Sequence, residues 1–246
     1  MEDYDAMVRA LGWFIHRHGR IHRLDSHNEH WLEIEAKLRR DFNIPGQLPE
    51  DTARNRSKWG MKEICQEHDV PYIEGARVTG PESVRDFVKR VGYPIILKPE
   101  VGVGAAATWR VEDDETLERV LQEDLTGYLV ERFATGELVS FDGLADANGD
   151  VLFYTTHRFS AGIMDIVNEQ RHMEYHSLRE VEPALAEVGH RTVKGFGIRE
   201  RFFHIEYFKE SETLFRLLEV NVRPPGLYSI DMMNFACDVD LYGAWA

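Results

Sequence analysis

Cysteine is scarce. The 246-residue chain has only Cys65 and Cys237, far apart and in no metal-like spacing. That argues against a disulfide scaffold and makes a reducing cytoplasm the expected setting. Positive charge is also short. Lys and Arg number 29 against 43 Asp and Glu, for a net charge of −14 and a pI of about 5.2. No basic run of five residues occurs, so neither nucleic acid nor an anionic membrane is an expected partner. No apolar run approaches the roughly 18 residues of a membrane span. The N-terminal stretch MEDYDAMVRALGWFIHRHG is acidic and amphipathic and lacks a signal-peptide pattern. Eleven histidines are present, but none forms an HExxH-like ligand pair, which removes the zinc reading. No Ser/His/Asp or Cys/His arrangement is evident, and no internal repeat is visible. Asn55-Arg56-Ser57 fits a glycosylation sequon and is taken as chance in a cytoplasmic chain.

What is there supports a sizeable core. Hydrophobic residues make up 43% of the chain, enough for one large domain or two small ones. Residues 4–18 read as a helix, Arg20 to Ser26 as a short strand, and Glu29 to Phe42 as a helix with Trp31, Ile34 and Leu38 on one face. Residues 47–56 are polar and read as a linker. Ser57 can cap a helix carrying Met61, Ile64 and Cys65. Pro81 to Val91 is a further helix stopped by Gly92, and Tyr93 to Lys98 is a buried-type strand. Thr108 to Val111 and Tyr128 to Glu131 read as strands, with Thr116 to Gln122 in a helix between them. Leu138 to Ala145 and Val151 to Phe159 flank Asn148-Gly149, a strong hairpin signal. Pro183 opens a helix that ends by Gly195.

Chemistry concentrates in LEVNVRPPG, Leu218 to Gly226. In a strand, Glu219, Asn221 and Arg223 share one face, and Val220 and Val222 point into the opposite layer. A carboxylate, an amide oxygen and a guanidinium together suit a divalent cation beside phosphate. Alternation alone equally fits an edge strand with a polar outer face. The aromatic-rich run Arg201 to Phe208 precedes it, across the polar connector KESET. A tight loop pairs Lys209 with Leu214, Glu206 with Leu217 and His204 with Glu219. Glu206 then lies diagonal to Glu219, and Phe202, Phe208 and Leu217 share their face as the wall of a partly covered cleft. Two neighbouring carboxylates call for a cation or a proton between them.

A second signal is the segment Lys98-Pro99-Glu100-Val101-Gly102-Val103-Gly104-Ala105-Ala106-Ala107-Thr108, which follows a strand. Small residues let backbone N–H groups approach an anion. The Gly-Lys-Ser/Thr ending of a Walker loop is missing, and a strand follows where a helix belongs. Both a flap over nucleotide phosphates and an ordinary glycine-rich hairpin fit.

Four blocks in this order resemble the ATP-grasp family. They are Lys58 in SKWGMKEI, Lys98 with its glycine loop, Glu131-Arg132-Phe133-Ala134-Thr135-Gly136-Glu137, and Glu206 with Glu219-Val220-Asn221-Val222-Arg223. They are most similar to carboxylate–amine ligases such as the biotin carboxylase, carbamoyl-phosphate synthase and D-alanine ligase relatives. The resemblance implies an α/β (α+β) ATP-grasp fold of two α+β subdomains clasping ATP. Residues 1–50 would be the remnant of a Rossmann-like N-terminal domain. Residues 51–246 would be the ATP-grasp domain, with a lid over about 70–133 and a C-terminal subdomain over about 134–246. On this view the chain is a fragment, with segments missing at both ends.

Residue by residue, the resemblance places Lys58 and Lys98 on nucleotide phosphates, under a loop including Gly102, Val103, Gly104 and Ala105. Glu131, Arg132, Phe133 and Ala134 become the hinge at the adenine edge, and Glu137 takes the ribose hydroxyls. Glu206, Glu219 and Asn221 hold one or two Mg²⁺ ions, with Mn²⁺ as a substitute, and Arg223 stabilises charge on the phosphoryl and acyl intermediates. Lys58 as a surface lysine and Glu137 as an exposed turn residue remain open. So do weaker substrate-facing positions at Arg158, Arg171, Gly226 and Tyr228, beside His157, His172 and Tyr175. Two departures stand out: small Ala134 in the hinge and alanines where the loop usually has more glycine. The implied activity joins a small carboxylate to an amine through an acyl phosphate at the expense of ATP. A bicarbonate-using carboxylating or carbamoyl-phosphate-type enzyme, and a nucleotide-binding module without turnover, are the alternatives. Small molecules are the implied partners, and a homodimer is left open.

Overall fold

The computed structural model describes residues 3–102, 107–160, 174–226 and 228–246. Helix α1 (Tyr4–His18) begins where Asp3 accepts from the Ala6 N–H, and it ends at Gly19, whose φ of 85° a side chain would disfavour. A 3₁₀ turn (Glu29–Trp31) leads into α2 (Leu32–Phe42), followed by α3 (Pro49–Arg56) and α4 (Lys58–Glu67). A four-stranded antiparallel sheet contains β1 (Gly75–Arg77), β2 (Ile95–Pro99), β3 (Trp109–Val111) and β4 (Tyr128–Arg132), in the order β1-β4-β2-β3. Helices α5 (Pro81–Val91) and α6 (Asp114–Val120) belong to this unit. Their Val84, Phe87, Leu117 and Val120 bury against Ile95, Leu97, Val111 and Val130.

A larger antiparallel sheet holds β5 (Glu137–Ala145), β6 (Val151–Thr155), β7 (His157–Phe159), β8 (Tyr175–Ser177), β9 (Arg201–Lys209) and β10 (Phe215–Asn221). Its order is β10-β9-β5-β7-β8, and β6 also pairs with β5. One face packs on α4 and on α7 (Pro183–Gly195) through Met61, Ile64, Leu185, Phe141, Ile205 and Tyr207. Helices α8 (Ser229–Cys237) and α9 (Leu241–Trp245) bring Ile230, Met233 and Leu241 against Phe202 and Leu144 on the other face. Two antiparallel sheets with helices on them form the expected α+β architecture.

Three local expectations are corrected. Arg20 to Ser26 forms no strand; it runs unpaired, and the Leu24 carbonyl accepts from the Arg39 guanidinium at 2.6 Å instead of from a sheet neighbour. The polar stretch 47–56 is not a linker throughout, because Pro49–Arg56 is helical. Pro49 sits in its first turn and Asp51 accepts from the Leu48 N–H at 3.0 Å. Its polar side chains turn inward: Thr52 and Asn55 are buried, and Asn55 donates to the Phe196 carbonyl at 3.2 Å.

The third correction is the β9–β10 register. Phe215 faces Lys209 and Leu217 faces Tyr207, but Glu219 faces Glu206 and Asn221 faces His204. One extra residue, Leu218, bulges between the two halves. The bulge switches which face the odd-numbered residues occupy. Leu217 therefore lies in the core with Tyr207, not in the cleft, while Glu219 and Asn221 stay on the polar side.

Candidate functional site

Ser57 caps α4 by accepting from the Gly60 N–H at 3.0 Å, which fixes Lys58 in the first turn. From there the Lys58 N–H donates to the Glu100 carbonyl at 3.0 Å, and its Nζ donates to the Gly102 carbonyl at 2.9 Å. The same Nζ lies 3.5 Å from Glu219 Oε1. One lysine thus ties the start of the glycine loop to β10. Val103, Gly104 and Ala105 of that loop, and Arg171, lie outside the described residues.

One turn further, Lys62 reaches the Glu131 carboxylate at 2.8 Å and the Ile73 carbonyl at 2.7 Å. Lys98 meets the other Glu131 oxygen at 2.7 Å. Burial works against ionising Glu131, yet the two ammonium groups hold its carboxyl down to about 2. Burial draws the Lys62 ammonium the opposite way, below the ordinary lysine range, with Glu131 opposing. The Glu131 side chain is thus engaged by lysines on two elements. Arg132 pairs with Glu210 at 2.6 Å, its N–H donates to the Glu74 carbonyl, and Phe133 donates to the Pro94 carbonyl. Ala134 is buried, and Phe133 carries Arg110 over its ring at 4.4 Å. Glu137 and Arg158, expected at ribose and at substrate, meet each other at 3.2 Å.

On the polar side of the large sheet, Glu206 and Glu219 are direct cross-strand partners. Burial raises the Glu219 carboxyl above its ordinary value; Lys58 opposes this and Glu206 adds to it. Asn221 is buried and its Oδ1 accepts from Arg223 Nη2 at 3.4 Å. Arg223 also donates to the Pro224 carbonyl at 2.9 Å and lies 3.5 Å from Glu29. Among the described residues no three His, Cys, Asp or Glu side chains group into a self-sufficient metal cage. Two carboxylates and an amide are instead the hard-oxygen set that suits Mg²⁺ completed by phosphate and water. A buried carboxyl beside a second carboxylate is the group a cation relieves, so the donor set fits.

Sequence reasoning missed a buried cluster on this same face, where Ser140 is the cross-strand partner of Glu206 and Asp142 that of His204. Asp142 on β5 is fully buried and accepts from His157 Nδ1 at 2.6 Å and from His204 Nδ1 at 2.5 Å. Ser140 Oγ donates to the same carboxylate and accepts from the His157 N–H at 3.2 Å. Burial opposes charge here too, but His204 and the hydrogen bonds from His157 and His204 hold the Asp142 carboxyl down to about 2. Against burial, Asp142 and then Glu206 push His204 up to about 10. A Ser/Asp/His grouping does therefore exist. Ser140 and Asp142 share β5, while His157 and His204 come from β7 and β9, so only the Ser140-x-Asp142 spacing on one strand face signals it.

Asp142, His157, His204 and Glu206 border a cavity of about 580 Å³, which His27, Glu29, Arg56 and Arg223 also line. Gly226 and Pro225 contribute to its wall, whereas Tyr228 is largely exposed and Arg158 does not line it. No helix among the described residues is long and apolar enough to cross a membrane.

Comparison with known proteins matches this geometry to a family. Residues 57–224 fit the sequence profile described as "Carbamoyl-phosphate synthase L chain, ATP binding domain". The carbamoyl phosphate synthase large chain of Clostridium acetobutylicum is 25% identical over 187 residues, 70% of this chain and 16% of that one. Its counterpart from Methanosarcina mazei is 34% identical over 96 residues, 37% of this chain and 9% of that one. An L-amino acid ligase from Bacillus licheniformis superposes with a TM-score of 0.69 at 20% identity, over 90% of this chain and 54% of that one. Biotin carboxylase from Campylobacter jejuni, in a β,γ-ATP complex, superposes at 0.66 and 19% identity, over 94% and 54%. The chain spans well under half the length of the curated relatives and about half of these solved chains. The profile covers most of the sequence and the fold agrees with it: this chain belongs to the carbamoyl-phosphate synthase L-chain ATP-binding family, within the ATP-grasp proteins.

Proposed function

We propose that this chain binds ATP with Mg²⁺ and forms the phosphoryl-transfer site of an ATP-dependent ligase. That enzyme converts a small carboxylate to an acyl phosphate and passes it to an amine. The observation that carries this reading is the cross-strand Glu206–Glu219 pair, with Asn221 and Arg223 beside it and Lys58 reaching in from the start of α4, where it also holds the Gly102 carbonyl. Residues 51–246 would make the nucleotide clasp, with the lid over about 70–133. Residues 1–50 would be what remains of a Rossmann-like domain.

Phosphoryl transfer needs positioning and charge neutralisation more than covalent help. Lys58 and Lys98 would border the phosphate path. Glu206, Glu219 and Asn221 would hold Mg²⁺, which supplies charge neutralisation at the phosphates when bound. Phosphorylation gives the carboxylate a good leaving group. Arg223 then faces the developing oxyanion as the amine attacks.

A second reading has one observation in its favour. The matching family is that of carbamoyl-phosphate synthase, so bicarbonate is a competing acid. Titration calorimetry with a non-hydrolysable ATP analogue, with and without Mg²⁺, tests the shared core. Micromolar binding that requires Mg²⁺ is expected, and its absence would overturn both readings. ADP release driven by bicarbonate rather than by organic acids selects the second. Binding with no ADP release under any acid would mark a module without turnover.

A further inference from the structure

Among the described residues, one acceptor beside the cavity has no partner. His157 is 1% exposed and lines the cavity. Its N–H donates to Ser140 Oγ, and its ring meets Tyr175 edge-on at 5.5 Å. Its Nδ1 lies 2.6 Å from the Asp142 carboxylate, an acceptor only, so in the neutral ring Nδ1 carries the hydrogen and Nε2 the lone pair. Nε2 is buried and meets no hydrogen-bond donor among the described residues. A buried acceptor left open has lost its water without replacement, so a donor arriving in the cavity would bind there at an advantage.

The other bases near the cavity are engaged or loosely held. His204 has one nitrogen on Asp142 and the other 3.5 Å from Glu206. Glu29 pairs with Arg223. His27 and His30 are exposed, and nothing holds their rings as Asp142 holds His157. We infer that His157, oriented by Asp142, is the general base that takes a proton from the incoming amine. This rests on the ligase reading.

The chemistry requires such a group. Most primary amines are ammonium ions at neutral pH and have no lone pair to attack with. Nε2 accepts one ammonium proton and becomes an imidazolium ion. The freed nitrogen lone pair forms the bond to the acyl carbon. The carbon–oxygen bond to phosphate then breaks, and the leaving phosphate takes the oxygen, the bonding pair and the second nitrogen proton. His157 returns its proton to solvent, so the net products are amide, hydrogen phosphate and one proton.

The test separates activation of the acid from attack by the amine. Hydroxylamine is largely neutral at neutral pH and traps acyl phosphates without a base. The protein is assayed with ATP, Mg²⁺ and pooled short carboxylic and amino acids, once with hydroxylamine and once with glycinamide and ethylamine. His157→Gln should keep hydroxamate formation within about twofold and lose amide formation by about a hundredfold or more, the range of a general base. Added imidazole should restore amide formation to His157→Ala. Retained amide formation overturns the inference. So does loss of both products with nucleotide binding intact, because His157 would then serve activation. If H157Q lacks a melting transition, H157N, which keeps a donor toward Asp142, undergoes the same comparison. A wild-type protein that yields no hydroxamate fails the ligase reading itself, and the inference falls with it.

Discussion

Glu219 illustrates how one side chain serves two states. Its carboxyl is raised by burial and by Glu206, and Lys58 Nζ stands 3.5 Å away as a partial counter-charge. Glu219→Gln and Asn221→Ala are expected to cut Mg²⁺-dependent nucleotide affinity tenfold or more while the melting temperature holds; calorimetry at fixed Mg²⁺ reads this directly. Arg223→Ala should leave that affinity within about threefold and abolish product formation. An active R223A enzyme would remove the arginine from the chemistry. Glu131 belongs to a different class, since its partners are the ammonium groups of Lys62 and Lys98. Its carboxyl falls from 4.5 to about 2 on folding. A depressed carboxyl stabilises the fold above its unfolded value, and that stability is lost as pH falls from about 4.5 toward 2. The full shift corresponds to about 3 kcal/mol, and the opposing pull on Lys62 makes the net smaller. Glu131→Gln should therefore cost roughly 3–5 kcal/mol at neutral pH, the usual result of breaking a buried pair. It should also flatten the acid limb of denaturant midpoints measured between about pH 6 and pH 3.

Single strands and helices decide where these side chains go, and β10 is the instructive one. Glu219, Asn221 and Arg223 are legible as one face because period two survives from Glu219 onward. The bulge at Leu218 is not legible, since no glycine or proline marks it, and it reverses the face of everything upstream. Leu217→Ala tests the corrected register. In the core beside Tyr207 it should cost about 2–5 kcal/mol in chemical denaturation, whereas a residue on the cleft wall would cost far less. Helix α7 offers a second test. A Cβ on Gly189 would lie 2.5 Å from the Phe141 ring, so the helix can approach β5 only without a side chain there. Gly189→Ala should destabilise by about 1–3 kcal/mol, the range of overpacking, despite the better helix propensity of alanine. The misread stretch 49–56 has a matching cause. PEDTARNR looks like a linker by composition, but Thr52 and Asn55 are buried and Asn55 finds its acceptor at Phe196, far along the chain. Composition reports solvation only when polar groups lack such distant partners.

At the scale of the molecule, the N-terminal segment is fastened to the large sheet by charge rather than by strand pairing. Arg201 at the start of β9 meets Asp25 and Glu35 at 2.8 Å each, and Arg39 reaches the same two acids. All four side chains are nearly inaccessible. Burial pushes the Glu35 carboxyl up, but Arg201 and Arg39 outweigh it and leave it below the ordinary range. Such a cluster is invisible in sequence, because Arg201 and Glu35 are 166 positions apart. For the same reason the grouping of Asp142 with His157 and His204 is not legible in the sequence, while local blocks such as LEVNVR are. The fastening matters to the site, since the segment it anchors supplies His27, Asn28, Glu29 and His30 to the cavity wall. Removing Arg201 strands two buried carboxylates on a single arginine, at a cost of roughly 3–5 kcal/mol. Much of that cost can be relieved by releasing the segment instead of unfolding the sheets, whose cores at Phe141 and Val130 do not depend on it. Arg201→Met should therefore make the chain cleavable by trypsin at Arg20 and Arg23 and raise the KM for the acceptor. Mg²⁺-dependent nucleotide affinity should stay within about twofold. If nucleotide affinity collapses together with the segment, the nucleotide site and the N-terminal segment are a single cooperative unit.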